Sequence, residues 1–246
     1  MQLSKRLMTI VHLVTPGYAA LDVGCDHAYA AVYLVQSGIS PRAVASDIRE
    51  GPLKAALGHI EEAGLGGQIA VVRADGIPAD YRSFTGELPV SLILAGMGGR
   101  LMTEILQAGE MRGFLTEEIV ASPQRDAGVL RRWLTAHRYE ILAESFLEDE
   151  GKFYTVMRGV RREEELPELT EAEAEYGPVL LREGNSLYLG HLRAKENGIR
   201  SILGQIDGTS ERGNTRQREL ADELRVLGEA LVRLEVTNGS QIEWTD

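Results

Sequence analysis

The chain has 246 residues, 43% of them hydrophobic, which suits one large domain, or one domain with an appendage, built around a sizeable core. No apolar run approaches the ~18 residues of a bilayer span, and a single cysteine, Cys25, excludes an internal disulfide and a cysteine-built zinc site. The net charge of -11 argues against broad nucleic-acid binding, because phosphate contacts need cations, so any RNA contact has to use a local basic patch.

Leu3, Leu7, Ile10, Val11 and Val14 recur at helical spacing, broken by Lys5, Arg6 and His12. That is not a signal-peptide pattern, and the expected location is the cytoplasm. Short β-branched runs then alternate with helical stretches. The strands read as Ala19–Val23, Ala43–Ser46, Ile69–Val72, Leu92–Ala95 and Ile119–Ala121. The helices between them read as Ala28–Ser37, Pro52–Ala63, Arg100–Ala108 and Ala127–Ala136. This alternation predicts a parallel doubly wound α/β sheet. Ile141–Phe146 and Lys152–Arg158, joined by Glu148-Asp149-Glu150-Gly151, predict a terminal antiparallel pair.

The pattern changes near residue 163. Residues 1–162 carry 17 Lys and Arg against 19 Asp and Glu, and residues 163–246 carry 9 against 18. The expected domains are therefore 1–162, α/β, and 163–246, helical. In the second, Tyr188, Leu192, Lys195, Ile199, Ile202 and Ile206 form one heptad seam. Leu220, Leu224, Leu227, Leu231 and Leu234 form another. They predict an antiparallel coiled-coil hairpin, with a turn over Asp207–Asn214, Asn214 or Thr215 as helix cap, and a shorter helix around Thr170–Leu181.

Candidate binding residues lie at consecutive strand ends, where open α/β sheets bind ligands. Asp22 and Gly24 lead into a tight turn and a helix N-terminus. The following positions hold Asp26 and Ala28 instead of the glycines of a dinucleotide fingerprint. An acidic turn repels a pyrophosphate and suits a sulfonium or an amino group. Asp47 ends the second strand, where a carboxylate accepts both ribose hydroxyls or caps the next helix. Asp75-Gly76 follows the third strand, placed for an adenine amino group or for a simple turn. Ala95-Gly96-Met97-Gly98-Gly99 follows the fourth. Its glycines either keep the rim low for a flat acceptor or let a helix pack closely.

With Leu3-Ser4-Lys5-Arg6-Leu7, Gly24-Cys25-Asp26-His27-Ala28-Tyr29, Gly51-Pro52, Asp75-Gly76 and Ala95–Gly99, the chain resembles the bacterial tRNA (adenine-22-N1)-methyltransferase family, TrmK. Arg131-x-Trp133-Leu134 and Gly151–Tyr154 fit it too, and a looser likeness runs through Gly177-Pro178. The sequence departs at Ala30-Ala31, where the family has Leu-Pro, and at Ser122-Pro123-Gln124, where it has Gln-Pro-Asn. The resemblance implies a Rossmann-like class I methyltransferase sheet, a C-terminal coiled-coil domain, S-adenosylmethionine as donor and tRNA as acceptor. No membrane and no metal are expected, and a monomer is favoured.

In that reading Asp22, Gly24, Asp26, Asp47, Asp75, Gly76, Ala95, Gly96 and Met97 bind the donor, while Arg6, Tyr29, Gly98 and Gly99 border the acceptor. Asp26 either stabilises positive charge on the alkylated base or holds the donor's amino group. His27 either transfers a proton or hydrogen-bonds within the turn. Tyr29 either stacks on the base or packs in the core. Cys25 reads as a small buried hydrophobe. Arg125, Arg131 and Arg132, with Lys5, Arg6 and Arg100, are the candidate basic group of the first domain. Arg193, Lys195, Arg200, Arg212, Arg216 and Arg218 are that of the hairpin. The competing readings are a methyltransferase for a small molecule, favoured by the net charge, and a coiled-coil interaction protein with a decayed enzyme domain.

Overall fold

The computed structural model describes residues 3–206 and 210–242. The chain divides into two compact units, Met1–Glu168 and Leu169–Asp246.

The first unit opens with α1 (Lys5–Leu13), capped by Ser4, whose Oγ accepts from the Leu7 N–H, and buries Ile10 and Val11. It continues as β1 (Ala19–Val23), α2 (Tyr29–Gln36), β2 (Ala43–Asp47), α3 (Glu50–Glu62), β3 (Ile69–Arg73), α4 (Tyr81–Thr85), β4 (Val90–Ala95), α5 (Gly99–Glu110), β5 (Glu118–Ser122), α6 (Ala127–Ala136), β6 (Tyr139–Asp149) and β7 (Lys152–Arg161). The seven strands form one sheet in the order β3-β2-β1-β4-β5-β7-β6. The first five are parallel, and β7 runs antiparallel between β5 and β6.

Every residue of β1, β2 and β5 is buried, which accounts for apolar residues on both faces of these strands, interrupted only by the buried polar groups Asp22, Ser46, Asp47, Glu118 and Ser122. The chain builds outward from β1 to β3, then returns to lay β4 on the other side of β1. That reversal opens a crevice at the carboxyl ends of β1 and β4. At the opposite end of the strands, Glu118 is a buried junction. It accepts from Thr15 N (2.9 Å), Thr15 Oγ1 (2.5 Å), Arg158 Nε (2.6 Å) and the Ser91 hydroxyl. One satisfied carboxylate thereby ties the segment after α1 to β4, β5 and β7.

The predicted elements of this unit are all present, with shifted ends. The hairpin strands start two residues earlier, at Tyr139, and run three further on, to Arg161. The short helix α4 has no counterpart among the elements read from the sequence. Arg131, read as part of a surface basic group, is 1% exposed and pairs through Nε with Glu144 Oε1 at 2.7 Å. It is a core residue and is removed from any RNA-contact set.

The second unit holds α7 (Glu171–Tyr176), α8 (Pro178–Glu183), α9 (Ser186–Leu203) and α10 (Glu211–Ile242). The sequence predicts a single helix over Thr170–Leu181. Gly177, at φ 94°, breaks it, and Pro178 starts α8. The heptad seams bury Tyr188, Leu192 and Ile199 of α9 and Leu220, Leu227, Leu231 and Leu234 of α10. Arg193 reaches Glu235 (3.0 Å) and Gln217 reaches the Ile206 carbonyl (3.4 Å), so the two helices are antiparallel. Ile202 is exposed and Ile206 lies beyond the end of α9. The seam is not a two-helix zipper, because α7 and α8 also pack on α10. The predicted turn lies partly outside the described residues. Its last part, Glu211–Asn214, is helical, and the cap is Ser210, whose Oγ accepts from the Gly213 N–H, in place of Asn214 or Thr215.

Candidate functional site

The β1–α2 turn is pinned from below. Gly24 N and Cys25 N both donate to the Ser46 carbonyl, at 2.8 and 2.9 Å, which fixes the turn to β2. Gly24 has φ 73°, and a Cβ there would meet Met97 Cε at 2.8 Å. The Met97 side chain from the β4–α5 loop thus lies against the Gly24 backbone. Asp26 and Ala28 also sit at positive φ, 51° and 56°, where non-glycine residues are strained. His59 of α3 supports this shape: its Nδ1 donates to the His27 carbonyl at 3.0 Å, and its ring stacks on Tyr29 at 4.7 Å. His27 lies 5.6 Å from the Tyr29 ring and 3.8 Å from Asp26 Oδ1.

A cavity of about 340 Å³ opens at this crevice. Its acidic wall is Asp22 and Asp26, and its floor includes Gly24, Ala95 and Gly96. Tyr29, Gln124 and the arginines Arg6 and Arg49 complete it. The structure therefore brings Arg6, Asp22, Gly24, Asp26, Tyr29, Ala95 and Gly96, all picked from the sequence, to one cavity. Arg6 is anchored through its backbone N–H to Asp149 Oδ2 (3.0 Å), and its guanidinium lies over the Tyr154 ring at 5.1 Å.

Asp47 ends β2 with its side chain only 3% exposed. Its Oδ1 accepts from Arg49 N (2.9 Å) and Arg49 Nε (3.2 Å), and its Oδ2 from Arg49 Nη2 (3.3 Å). Asp47 does not cap α3 with its side chain, since α3 begins at Glu50 after Arg49. Asp75 lies beyond β3, and Gly76 packs near Ile105. Gly98 lies against Arg125, where an added Cβ would be 3.2 Å from Nε. Gly99 does not face the cavity. It is buried, donates to the Arg125 carbonyl at 2.8 Å, and has no room for a Cβ beside the Asp126 carbonyl. Gly99 is thus the close-packing glycine of the two alternatives, and its assignment to the acceptor is corrected. Tyr29 gives one ring face to His59 and lines the cavity as well.

Electrostatically the cavity is a carboxylate cluster. Burial raises Asp22 from its ordinary 3.8 to about 7; the Ala31 backbone N–H opposes this, and the charges of Asp47 and Asp26 add to it. For Asp47, burial again pushes upward, but the Arg49 hydrogen bonds and charge outweigh it and hold the carboxyl below its usual range. Burial and the Asp22 and Asp47 charges push the Cys25 thiol up, so Cys25 is an inert wall residue. A cationic ligand would favour the ionised form of the buried Asp22 and relieve the crowding among these carboxylates. Arg49, Gln124 and His59 are not among the site residues that the sequence singles out. Gln124 carries a signal, as a departure beside a proline after the fifth strand. Arg49 stands two residues past a chosen carboxylate.

A seven-stranded sheet with an inserted antiparallel β7, an acidic pocket at its reversal point and a glycine-bearing β4 loop define a Rossmann-like class I methyltransferase. Residues 20–229 match the family model described as tRNA (adenine(22)-N(1))-methyltransferase, TrmK, and the chain belongs to that family. A Bacillus subtilis protein named tRNA (adenine(22)-N(1))-methyltransferase is 31% identical over 244 residues, covering 94% of this chain and 98% of the relative. The Streptococcus pneumoniae Sp1610 structure, called a putative tRNA (m1A22) methyltransferase in complex with S-adenosyl-L-methionine, superposes with TM-score 0.79 at 29% identity. It covers 94% of this chain and all (100%) of that one. The M. capricolum TrmK structure with S-adenosyl-homocysteine gives TM-score 0.81 at 27% identity, covering 95% and 100%.

Among the described residues no group of three or more His, Cys, Asp or Glu side chains is placed to hold a metal ion. No described helix is long and apolar enough to cross a membrane.

Proposed function

We propose that this chain transfers a methyl group from S-adenosylmethionine to N1 of an adenine in tRNA, adenine 22. The observation that carries the reading is the cavity at the ends of β1 and β4, acidic within and edged by Arg6 and Arg49. Its volume and its two carboxylates, the buried Asp22 and the exposed Asp26, fit a donor of that size and charge.

Asp47 would accept the ribose hydroxyls, and the exposed Ile48 beside it offers an apolar surface for the adenine ring. Asp75 and Gly76, beyond β3, would meet the adenine amino group. Asp22, Asp26 and the Gly24 backbone would hold the cationic end, with Ala95, Gly96 and Met97 as floor. When bound, S-adenosylmethionine supplies a methyl on a positively charged sulfur, which the in-plane lone pair of adenine N1 can accept directly. The chain's main task is then alignment, worth on the order of 7–11 kcal/mol at most.

Because N1 lies on the pairing edge, the acceptor base has to be exposed or turned out of its helix. The free face of Tyr29 would stack on it. Gln124 replaces the family's Asn here, and its amide can pair with N6 and N7 while N1 points at the methyl. Positive charge moves onto the base during transfer. Asp26, 66% exposed in its side chain at the cavity wall, would stabilise it and can take a proton from N6. His27 then acts by holding the turn and neighbouring Asp26.

The tRNA body needs cations outside the cavity. Arg100 and Arg125 are largely exposed, although both lie near Asp126, at 3.5 and 3.9 Å. In the helical unit Arg193, Lys195, Arg200 and Arg216 are paired with Glu235, Glu223, Glu196 and Glu219. Arg212 and Arg218 have no carboxylate partner among the described residues and are the better phosphate contacts. The division between Glu168 and Leu169, six residues past the boundary expected from the charge pattern, serves this split of labour, one unit for chemistry and one for tRNA. The leucine row of α10 is covered by helices of its own unit, which favours a single chain as the acting form; the cytoplasm, where tRNA is found, is the proposed place of action.

The test is nucleoside mass spectrometry of unmodified tRNA incubated with protein and donor. 1-Methyladenosine should appear and should vanish when adenine 22 is replaced by guanine. Its absence from the unmodified tRNA would remove the reading.

A further inference from the structure

Arg49 makes an unusual demand on its partners. Asp47 offers about four acceptor positions on its two oxygens. The Arg49 backbone takes one and its guanidinium takes two, through Nε and Nη2. The same guanidinium approaches Asp26 Oδ1 at 3.8 Å. A ribose diol on Asp47 needs two acceptor positions, so it competes with the Arg49 side chain for the same lone pairs. The backbone bond is fixed by the chain; the guanidinium bonds are not, because the Arg49 side chain is 65% exposed at the cavity mouth.

The charges run the same way. Asp22, Asp26 and Asp47 crowd one another, and Arg49 is the cation set directly on two of them. S-Adenosylmethionine carries a sulfonium, an ammonium and a carboxylate, a net positive charge. It can replace the guanidinium as counter-ion to the cluster. S-Adenosylhomocysteine has lost the sulfonium charge and replaces it less completely.

We propose that Arg49 is a donor-controlled contact to a tRNA phosphate: Asp47 and Asp26 hold its guanidinium, and a cationic donor that takes those carboxylates frees it for the acceptor. This rests on the assignment of tRNA as acceptor and of Asp47, which lies behind the cavity-lining Arg49, to the donor's ribose. Binding of donor and tRNA is then coupled through one side chain, and the coupling weakens once the methyl has left. Coupling of this kind is reciprocal: whatever the donor does to tRNA affinity, tRNA does to donor affinity.

The probes are sinefungin, a non-transferring analogue with an amine where the sulfonium stands, S-adenosylhomocysteine, and unmodified tRNA. In the wild-type protein saturating sinefungin should tighten tRNA binding by at least about fivefold, and S-adenosylhomocysteine by less. In Arg49→Ala the sinefungin effect should disappear, and the salt slope of tRNA binding with sinefungin present should fall by about one. Without tRNA, Arg49→Ala should bind sinefungin at least as tightly as wild type, because a competitor has gone. Retention of the full tRNA tightening in Arg49→Ala overturns the proposal. So does a several-fold loss of sinefungin affinity, which would make Arg49 a donor ligand. Failure of the wild type to bind tRNA at low salt would overturn the tRNA reading itself, and the sinefungin comparison tells that failure from the others.

Discussion

Replacing Asp22 with asparagine should change how stability depends on pH, in a direction the buried carboxylate dictates. In the folded chain Asp22 keeps its proton up to about 7, while in the unfolded chain it loses it near 3.8. Between those values the native state binds the extra proton, so this group's contribution is fully present below 3.8 and is lost as pH rises toward and through 7. The gap corresponds to about 4 kcal/mol in full, of which about 2–3 kcal/mol falls between pH 5 and pH 8. An amide does not titrate, so urea unfolding of Asp22→Asn should lack that decline and the variant should gain on wild type by about this amount at the higher pH. The same proton opposes a cationic donor. Sinefungin binding to wild type should weaken by up to about tenfold per pH unit below 7 and release a proton, and Asp22→Asn should lose this pH dependence along with much of the affinity. Parallel stability–pH curves for the two proteins would refute the claim that burial holds the proton on Asp22.

Asp26→Asn should weaken donor binding, because its carboxylate helps hold the cationic end, and should in addition lower kcat at saturating donor for tRNA methylation by about 10²-fold; a loss confined to donor affinity, by calorimetry and single-turnover kinetics, would assign Asp26 to the donor alone. Gly99→Ala should destabilise by at least about 1–3 kcal/mol, read as a lower thermal midpoint, since its Cβ has nowhere to go beside the Asp126 carbonyl. Arg131→Ala should cost about 3–5 kcal/mol in urea unfolding by leaving Glu144 charged and buried. Gly24→Ala should weaken donor binding, because φ 73° strains the new side chain and its Cβ meets Met97 Cε; unchanged sinefungin affinity would show that this backbone is not a donor contact.

The strands are legible because parallel strands buried on both faces carry apolar residues at successive positions, with polar groups such as Asp22, Asp47 and Glu118 mostly at or near their ends. The ends of the hairpin are not, since Tyr139–Asp149 mixes buried and half-buried positions as it leaves the core. Five residues, Tyr81–Thr85, are too few to show a helical period, so α4 leaves no trace. The heptads disclose which face of α10 is apolar. They cannot disclose that three helices cover it, because a seam records burial and not the partner. Arg131 looks like surface charge because nothing local distinguishes a buried arginine; its Glu144 partner is thirteen positions away, on β6. Of the site, the carboxylates and glycines stand out because their positions at strand ends are fixed by the fold. Arg49 and His59 act through side chains that return to Asp47 and to the His27 carbonyl, and only the folded geometry shows those returns.

The turn from Gly24 to Ala28 bends at Asp26 and Ala28, where an unconstrained chain would place glycines. A glycine there would relax the bend and also let it wander. Carrying β-carbons through a left-handed stretch, with His59 braced against it, gives up some stability, about 1–2 kcal/mol per such residue, for a shape with few neighbours in conformational space. The direction in which Asp26 and Tyr29 point is then a property of the folded chain before any substrate reaches it. Variation in the protein should accordingly reach the reaction's rate more readily through positions 26, 28 and 59 than through the sheet that carries them.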